Sequence, residues 1–249
     1  LPPKPKTYRI GEVNHNTYGS EMTIIKYNGR CDILVRFQDG YETTSTYSRF
    51  IVGEIENPYD KSVSGIGYLG EGIYNILKYT KTKRYTTWRS MLQRCYDDKY
   101  HSTRPTYIDC IVCEEWHNYQ IFAKWYDQNI YNVQDQRMEL DKDILIKGNK
   151  VYSPETCVFV PNSINSLFIK SNAKRGEYPI GVSWHSRNNK YMSSGKDAYL
   201  GYYNTSKEAF EAYKKWKESL IKQMADKYKD KLPQKLYDAM YKYEVEITD

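Results

Sequence analysis

Apolar positions change their period along this chain, and each change marks an element. Residues 8–58 carry a period of two. Met22 to Tyr27 leads into Asn28-Gly29, then Ile33, Val35 and Phe37 alternate with polar neighbours, and Asp39-Gly40 follows. Both dipeptides favour the φ > 0 turns of tight hairpins, so a β-meander or a small, strongly bent barrel is expected. From Ser62 to Gly72 the glycines Gly65, Gly67, Gly70 and Gly72 interrupt any period and predict a linker. Helical spacing then takes over, in Trp88, Met91 or Leu92 and Cys95, and again in Trp116, Tyr119, Phe122 and Trp125. Each tryptophan shares its stripe with other apolar residues, so these faces predict a helix pair with a tryptophan core rather than a base-stacking surface.

Beyond residue 138 the order strand, loop, strand, short helix is expected. After residue 177 three short strands follow, within Tyr178 to His185, Lys190 to Gly195 and Ala198 to Tyr203. Thr205-Ser206-Lys207-Glu208 has capping-box spacing, and Phe210, Tyr213, Leu220 and Met224 give the stripe of a long helix. Leu232-Pro233 ends it and starts a last helix through Met240, which packs back or meets a partner chain. The expected fold class is α+β and multi-module. It comprises a small β module (1–60), a Gly-containing linker (61–80), central helices with a hairpin (81–170), and a three-stranded sheet packed on a long helix with further C-terminal helices (171–249).

Composition supports small modules over one large core: of 249 residues 27 are Tyr, whose apolar bodies carry polar tips. The formal charge of +6 makes a polyanionic partner modestly more favourable. The basic stretch from Lys78 to Arg84, with Lys81 and Lys83 interleaved with Tyr79 and Tyr85, can track a phosphate backbone or serve as a solvated connector. No run approaches the roughly 18 apolar residues that a membrane span needs. The start Leu1-Pro2-Pro3-Lys4 lacks the apolar segment of a secretory signal. A cytoplasmic location is expected, with the five cysteines as reduced thiols. The N-terminal module concentrates neither charge nor exposed aromatics. It reads as a structural or docking module, able to receive a second copy of the chain or another protein.

The densest chemistry lies in Met138-Glu139-Leu140-Asp141-Lys142-Asp143-Ile144, a polar loop through Gly148-Asn149, then Val158-Phe159-Val160 and Asn162-Ser163-Ile164-Asn165. With the lead-in of Trp88, Arg94-Cys95-Tyr96 and Val112-Cys113-Glu114-Glu115-Trp116, this stretch resembles the HNH, or ββα-metal, nucleases of phages and mobile elements. The resemblance covers residues 80–170. It implies a phage-encoded endonuclease that cleaves double-stranded DNA with Mg²⁺ or Mn²⁺. Carried over, it assigns Asp141 and Asn165 to the cation, with Asp143 beside them, and Asn149 to bracing the loop. Where the family places a general-base histidine, this chain has Lys142. Lysine is protonated at neutral pH and is a poor base, so Lys142 would instead neutralise phosphate charge. The alternative is a non-cutting HNH-like protein that binds DNA or blocks a partner. A structural zinc at Cys110, Cys113, His117 and Cys95 is a further reading, although both Cys110 and Cys113 also fit as small buried residues near Trp116.

In the last module, Gly181-Val182-x-Trp184, Lys190-Tyr191, Leu200-Gly201-Tyr202-Tyr203 and Glu208-Ala209-x3-Tyr213 resemble the APETALA2/ERF-type DNA-binding domain. That resemblance implies a sheet laid on duplex DNA, with Trp184, His185, Arg187, Lys190 and Ser193 as contacts. The connector residues Lys174 and Arg175 would add phosphate contacts, as would Lys83 and Arg84 upstream.

Overall fold

The computed structural model describes residues 8–74, 82–169, 177–247 and 249. The chain divides into two compact units, 1–128 and 129–249, a division that falls inside the expected segment 81–170.

In the first unit, β1 (Val13–His15), β2 (Glu21–Gly29), β3 (Asp32–Phe37) and β4 (Glu42–Ser45) form one antiparallel sheet in that order. The meander is open; the barrel alternative is not formed. Alternation puts Met22, Ile24, Ile33, Val35 and Phe37 on one face, where they pack with Phe50 of α1 (Tyr47–Ile51) and with Ile55. Asp39-Gly40 lies in the β3–β4 turn as expected, with Gly40 at φ 94°. Asn28-Gly29 does not make the preceding reversal. A register shift between Tyr27 and Gly29 carries β2 on through Gly29, and the chain turns at Arg30-Cys31, because a bulge inserts a residue that the turn motif cannot foresee.

The two expected helices are α2 (Lys83–Tyr96) and α4 (Tyr119–Asn129), with α3 (Asp98–Thr103) and β5 (Ile111–Val112) between them; Trp116 lies not on α4 but in a 3₁₀ turn, Glu114–His117, just ahead of it. Thr82 caps α2, its hydroxyl accepting from the Tyr85 amide at 3.2 Å. Trp88, Met91, Leu92 and Cys95 are buried, as are Trp116, Tyr119, Phe122 and Trp125. The Trp88 indole donates to the Trp116 carbonyl at 2.7 Å. A Cβ on Gly67 would collide with Leu92 and Trp88. The glycine-containing segment therefore lies packed on α2 rather than serving as a free linker.

In the second unit β6 (Met138–Asp141) pairs antiparallel with β8 (Val158–Pro161), with β7 (Val151–Tyr152) in the loop between them. Helix α5 (Asn162–Asn165) follows and runs into a single 3₁₀ turn. β9 (Val182–His185), β10 (Lys190–Gly195) and β11 (Ala198–Tyr203) form a second antiparallel sheet with β10 central. Helix α6 (Ser206–Lys227) opens on the expected capping box, Thr205 and Glu208 each bonding the other's backbone amide. Helix α7 (Gln234–Lys242) packs back on it. Ile144, Val158, Val160 and Ile164 of the hairpin share one core with Ile221, Ala225, Leu236 and Met240. The hairpin is thus built into the same body as the C-terminal helices. A separate cluster of Phe210, Tyr213 and Val245, with Val182 and Leu200 packed on it, joins α6 to the three-stranded sheet. The result is an α+β fold of several small sheets. No described helix is long and apolar enough to cross a membrane.

Candidate functional site

The hairpin loop closes on itself through its own polar side chains. Asp141 ends β6, and its Oδ1 accepts from the backbone amides of Asp143 at 2.9 Å and Ile144 at 2.7 Å. This is the local turn that aspartate favours. Burial, reinforced by the charge of Asp143, pushes the Asp141 carboxyl up to about 6. Lys142 is 7% exposed. Its Nζ donates to the Asn149 carbonyl at 2.8 Å and to Asp143 Oδ2 at 3.2 Å. The Asn149 amide in turn donates to the carbonyls of Lys142 and Val151, both at 2.7 Å, and its Oδ1 accepts from the Val151 amide at 3.2 Å. Asn149 therefore braces the loop, and Lys142 points into it.

Asn165 is held by Glu139, which alternation places on the same face of β6 as Asp141. The Asn165 amide donates to Glu139 Oε2 at 2.6 Å, while Asn162 donates to Glu139 Oε1 at 2.8 Å and Arg137 pairs with the same oxygen. Burial alone would raise the Glu139 carboxyl, but the Arg137, Asn162 and Asn165 donors outweigh it and hold the carboxyl below its ordinary range. Glu139 lies two residues from Asp141 along β6, roughly 7 Å at strand rise. The expectation from sequence omitted Glu139, Arg137 and Asn162, although the i, i+3 spacing of the two asparagines on a short helix was a usable signal.

The side chains that the nuclease resemblance assigns to Mg²⁺ or Mn²⁺ bond separate protein partners. Asp141 is turned to its own loop, Asp143 to Lys142, and Asn165 to Glu139. Among the described residues no three His, Cys, Asp or Glu side chains gather as a metal-holding group. In the zinc quartet Cys95 and Cys110 are buried, and the His117 ring lies 3.2 Å from the Val112 carbonyl.

In the first unit, Lys83 is exposed, whereas Arg84 is engaged by both oxygens of Asp127 at 2.8 and 2.6 Å, tying α2 to α4. Lys78, Lys81, Lys174 and Arg175 lie outside the described residues.

The C-terminal sheet divides its side chains between two faces. In the pairing register, Val182 and Ser193 are opposite each other, as are Trp184 and Tyr191. Val182 packs toward α6, and a Cβ on Gly195 would strike Trp216 of that helix. By strand alternation this is the helix side. Ser193 is wholly buried on it, its hydroxyl without a hydrogen-bond partner, so the expected DNA contact at Ser193 is corrected to an interior position. Trp184 sits on the same side, its ring 4.9 Å from Tyr191, and remains 42% exposed.

The other side is open. Alternation places Ser183, His185, Lys190, Met192, Ser194 and Tyr202 there. The His185 ring lies 4.9 Å from Tyr202, and Tyr202 lies 5.5 Å from Tyr199. Arg187 is exposed in the β9–β10 turn, and Lys196 in the β10–β11 turn. None of the three strands contains an Asp or Glu. Of the five expected contacts in this module, His185 and Lys190 share the open face and Arg187 borders it. Tyr199 and Tyr202 were missed; Tyr202 is placed on the open face by its pairing with Met192. No family model matches this chain, and no curated protein or solved structure matches it.

Proposed function

We propose that this chain binds DNA through the open face of its C-terminal sheet, and that the central hairpin serves as a brace within the second unit rather than as a cutting site. One observation carries the binding reading: three adjacent strands free of carboxylates present His185 and Lys190 on a face bordered by Arg187 and Lys196, with Asp197 as the sole acid in its turns. Phosphate is the complementary chemistry, since cations released from a polyanion drive association. The bracing reading follows from Lys142 and Asn149, whose polar groups bond within the loop. An electrophoretic shift of a DNA fragment at low salt tests the first part. A protein that leaves the fragment unshifted at about 50 mM salt, where such contacts are strongest, disproves it.

A second reading, metal-dependent cleavage of double-stranded DNA, is favoured by the β6–β8–α5 order with an acidic residue closing the first strand. It predicts Mg²⁺- or Mn²⁺-dependent nicking of plasmid that Asp141→Ala abolishes. On the bracing reading, wild type and a Lys142→His variant are both silent.

A further inference from the structure

The open face holds something that phosphate contact alone does not require: a row of rings. His185, Tyr202 and Tyr199 follow one another across it at 4.9 and 5.5 Å between centroids, and Tyr199 is 63% exposed. Helix α6 covers the opposite face, so no element of the second unit's sheet-and-helix pair shields them. His185 and Tyr202 are half-buried beside the exposed Tyr199, a run of rings at the surface that marks an interaction site, and the cations at Arg187, Lys190 and Lys196 give that surface the sign of a phosphate partner.

We propose that this face takes unpaired DNA bases, which stack on Tyr202 and Tyr199 while Arg187 and Lys190 hold the flanking phosphates; this rests on the DNA-binding reading of the same face. Three physical points favour unpaired bases over an intact duplex. Bases within a duplex strand lie parallel at about 3.4 Å, whereas neighbouring rings here are inclined by 58° and 66°, so the rings suit bases that are splayed rather than stacked on each other. A tyrosine ring offers a π-face, which every base matches once its own face is free, whereas base-edge reading in a duplex relies on Arg, Lys, Asn or Gln donors. The strands themselves carry a single cation, Lys190, and the rings stand on the strands to either side of it, His185 on β9 and Tyr202 and Tyr199 on β11.

The test uses the full chain and two probes, a labelled mixed-sequence DNA strand of about 20 nucleotides, long enough to cover the site sizes of such surfaces, and the same strand annealed to its complement. Affinities by fluorescence anisotropy are compared for wild type, Tyr199→Ala/Tyr202→Ala and Tyr199→Phe/Tyr202→Phe, with unfolding curves to confirm that each variant is folded. The alanine pair is expected to lose about 25-fold or more for the single strand. Its duplex affinity should stay within about two-fold, and the phenylalanine pair should bind as wild type does. Single-strand binding that survives the alanine pair, or that falls equally with phenylalanine, overturns stacking while leaving DNA binding in place. An equal loss on both probes overturns the preference for unpaired bases. Wild-type protein that binds neither probe at low salt removes the DNA-binding reading, and this inference with it.

Discussion

The hairpin loop and the open sheet face lie in the same compact unit, and both carry polar and charged side chains, but those side chains find different partners. In the loop, Asp141, Lys142 and Asn149 bond backbone groups within nine residues of one another. On the sheet, Arg187 and Lys190 project from exposed positions, the neighbouring rings lie against one another, and the His185 ring also accepts from the Asn188 amide at 3.3 Å. A buried donor or acceptor left alone costs about 1–3 kcal/mol, so the loop's groups maintain the fold. Exposed cations beside rings that are partly or fully exposed add little to folding and are available to a ligand. The contrast assigns architecture to one region and recognition to the other, and it can be broken at either end.

The largest effect is expected at Lys142. Lys142→Met keeps most of the side-chain stem but removes the ammonium, leaving the Asn149 carbonyl without that donor. It should destabilise the chain by about 2–3 kcal/mol in urea unfolding and leave DNA affinity unchanged. A variant as stable as wild type that binds DNA more weakly would reverse the assignment of the two regions.

Next comes the sheet. Arg187→Ala/Lys190→Ala should weaken DNA binding by about ten-fold or more near 50 mM salt and flatten the dependence of log affinity on log salt by about 1–2. Exposed substitutions of this kind change stability by about 0.5 kcal/mol or less. Unaltered salt dependence would mean that these cations do not meet phosphate.

How much of this was legible in the sequence differs by region for a physical reason. Periodic burial was readable: Ile33, Val35 and Phe37, and the tryptophan stripes, lie inside as their spacing required. Pairing with Val182 assigns Ser193 to the interior, whereas the resemblance to the APETALA2/ERF-type domain nominated it as a contact. Bulges defeat the count, as at Asn28-Gly29 and again between Ser193 and Ser194, where Leu200 becomes an extra residue. The fate of Lys142 was not readable at all. Its charge suggests an exposed position, and only the return of the loop seven residues later brings the Asn149 carbonyl to it. Nothing in the spacing of Asp141, Asp143 and Asn165 shows that Asn165 turns to Glu139.

The loop can also be probed through pH. Folding raises the Asp141 pKa to about 6, so the folded state holds this proton more tightly than the unfolded chain does. Its contribution to stability is complete below the ordinary aspartate value of about 3.9 and is lost as pH rises through about 6. Asp141→Asn keeps an oxygen to accept from the Asp143 and Ile144 amides but does not ionise. The variant should therefore gain on wild type as pH rises from about 4.5 to 7.5, by about 1 kcal/mol after allowance for partial solvent screening. Parallel unfolding curves across that range would show that the half-buried carboxyl carries no such penalty.

The smallest effect sharpens the comparison from inside the sheet. Ser193 is wholly buried and its hydroxyl has no hydrogen-bond partner, so burial of that group opposes folding with little return. Ser193→Ala removes the oxygen and keeps the Cβ that packs on the helix side, and it should stabilise the chain by about 0.5 kcal/mol. Because Ser193 faces away from Lys190 and Tyr202, neither single-strand nor duplex affinity should move. A loss of DNA binding in this variant would place the ligand on the helix side of the sheet, and the division of the strands into a packed face and a binding face would no longer hold.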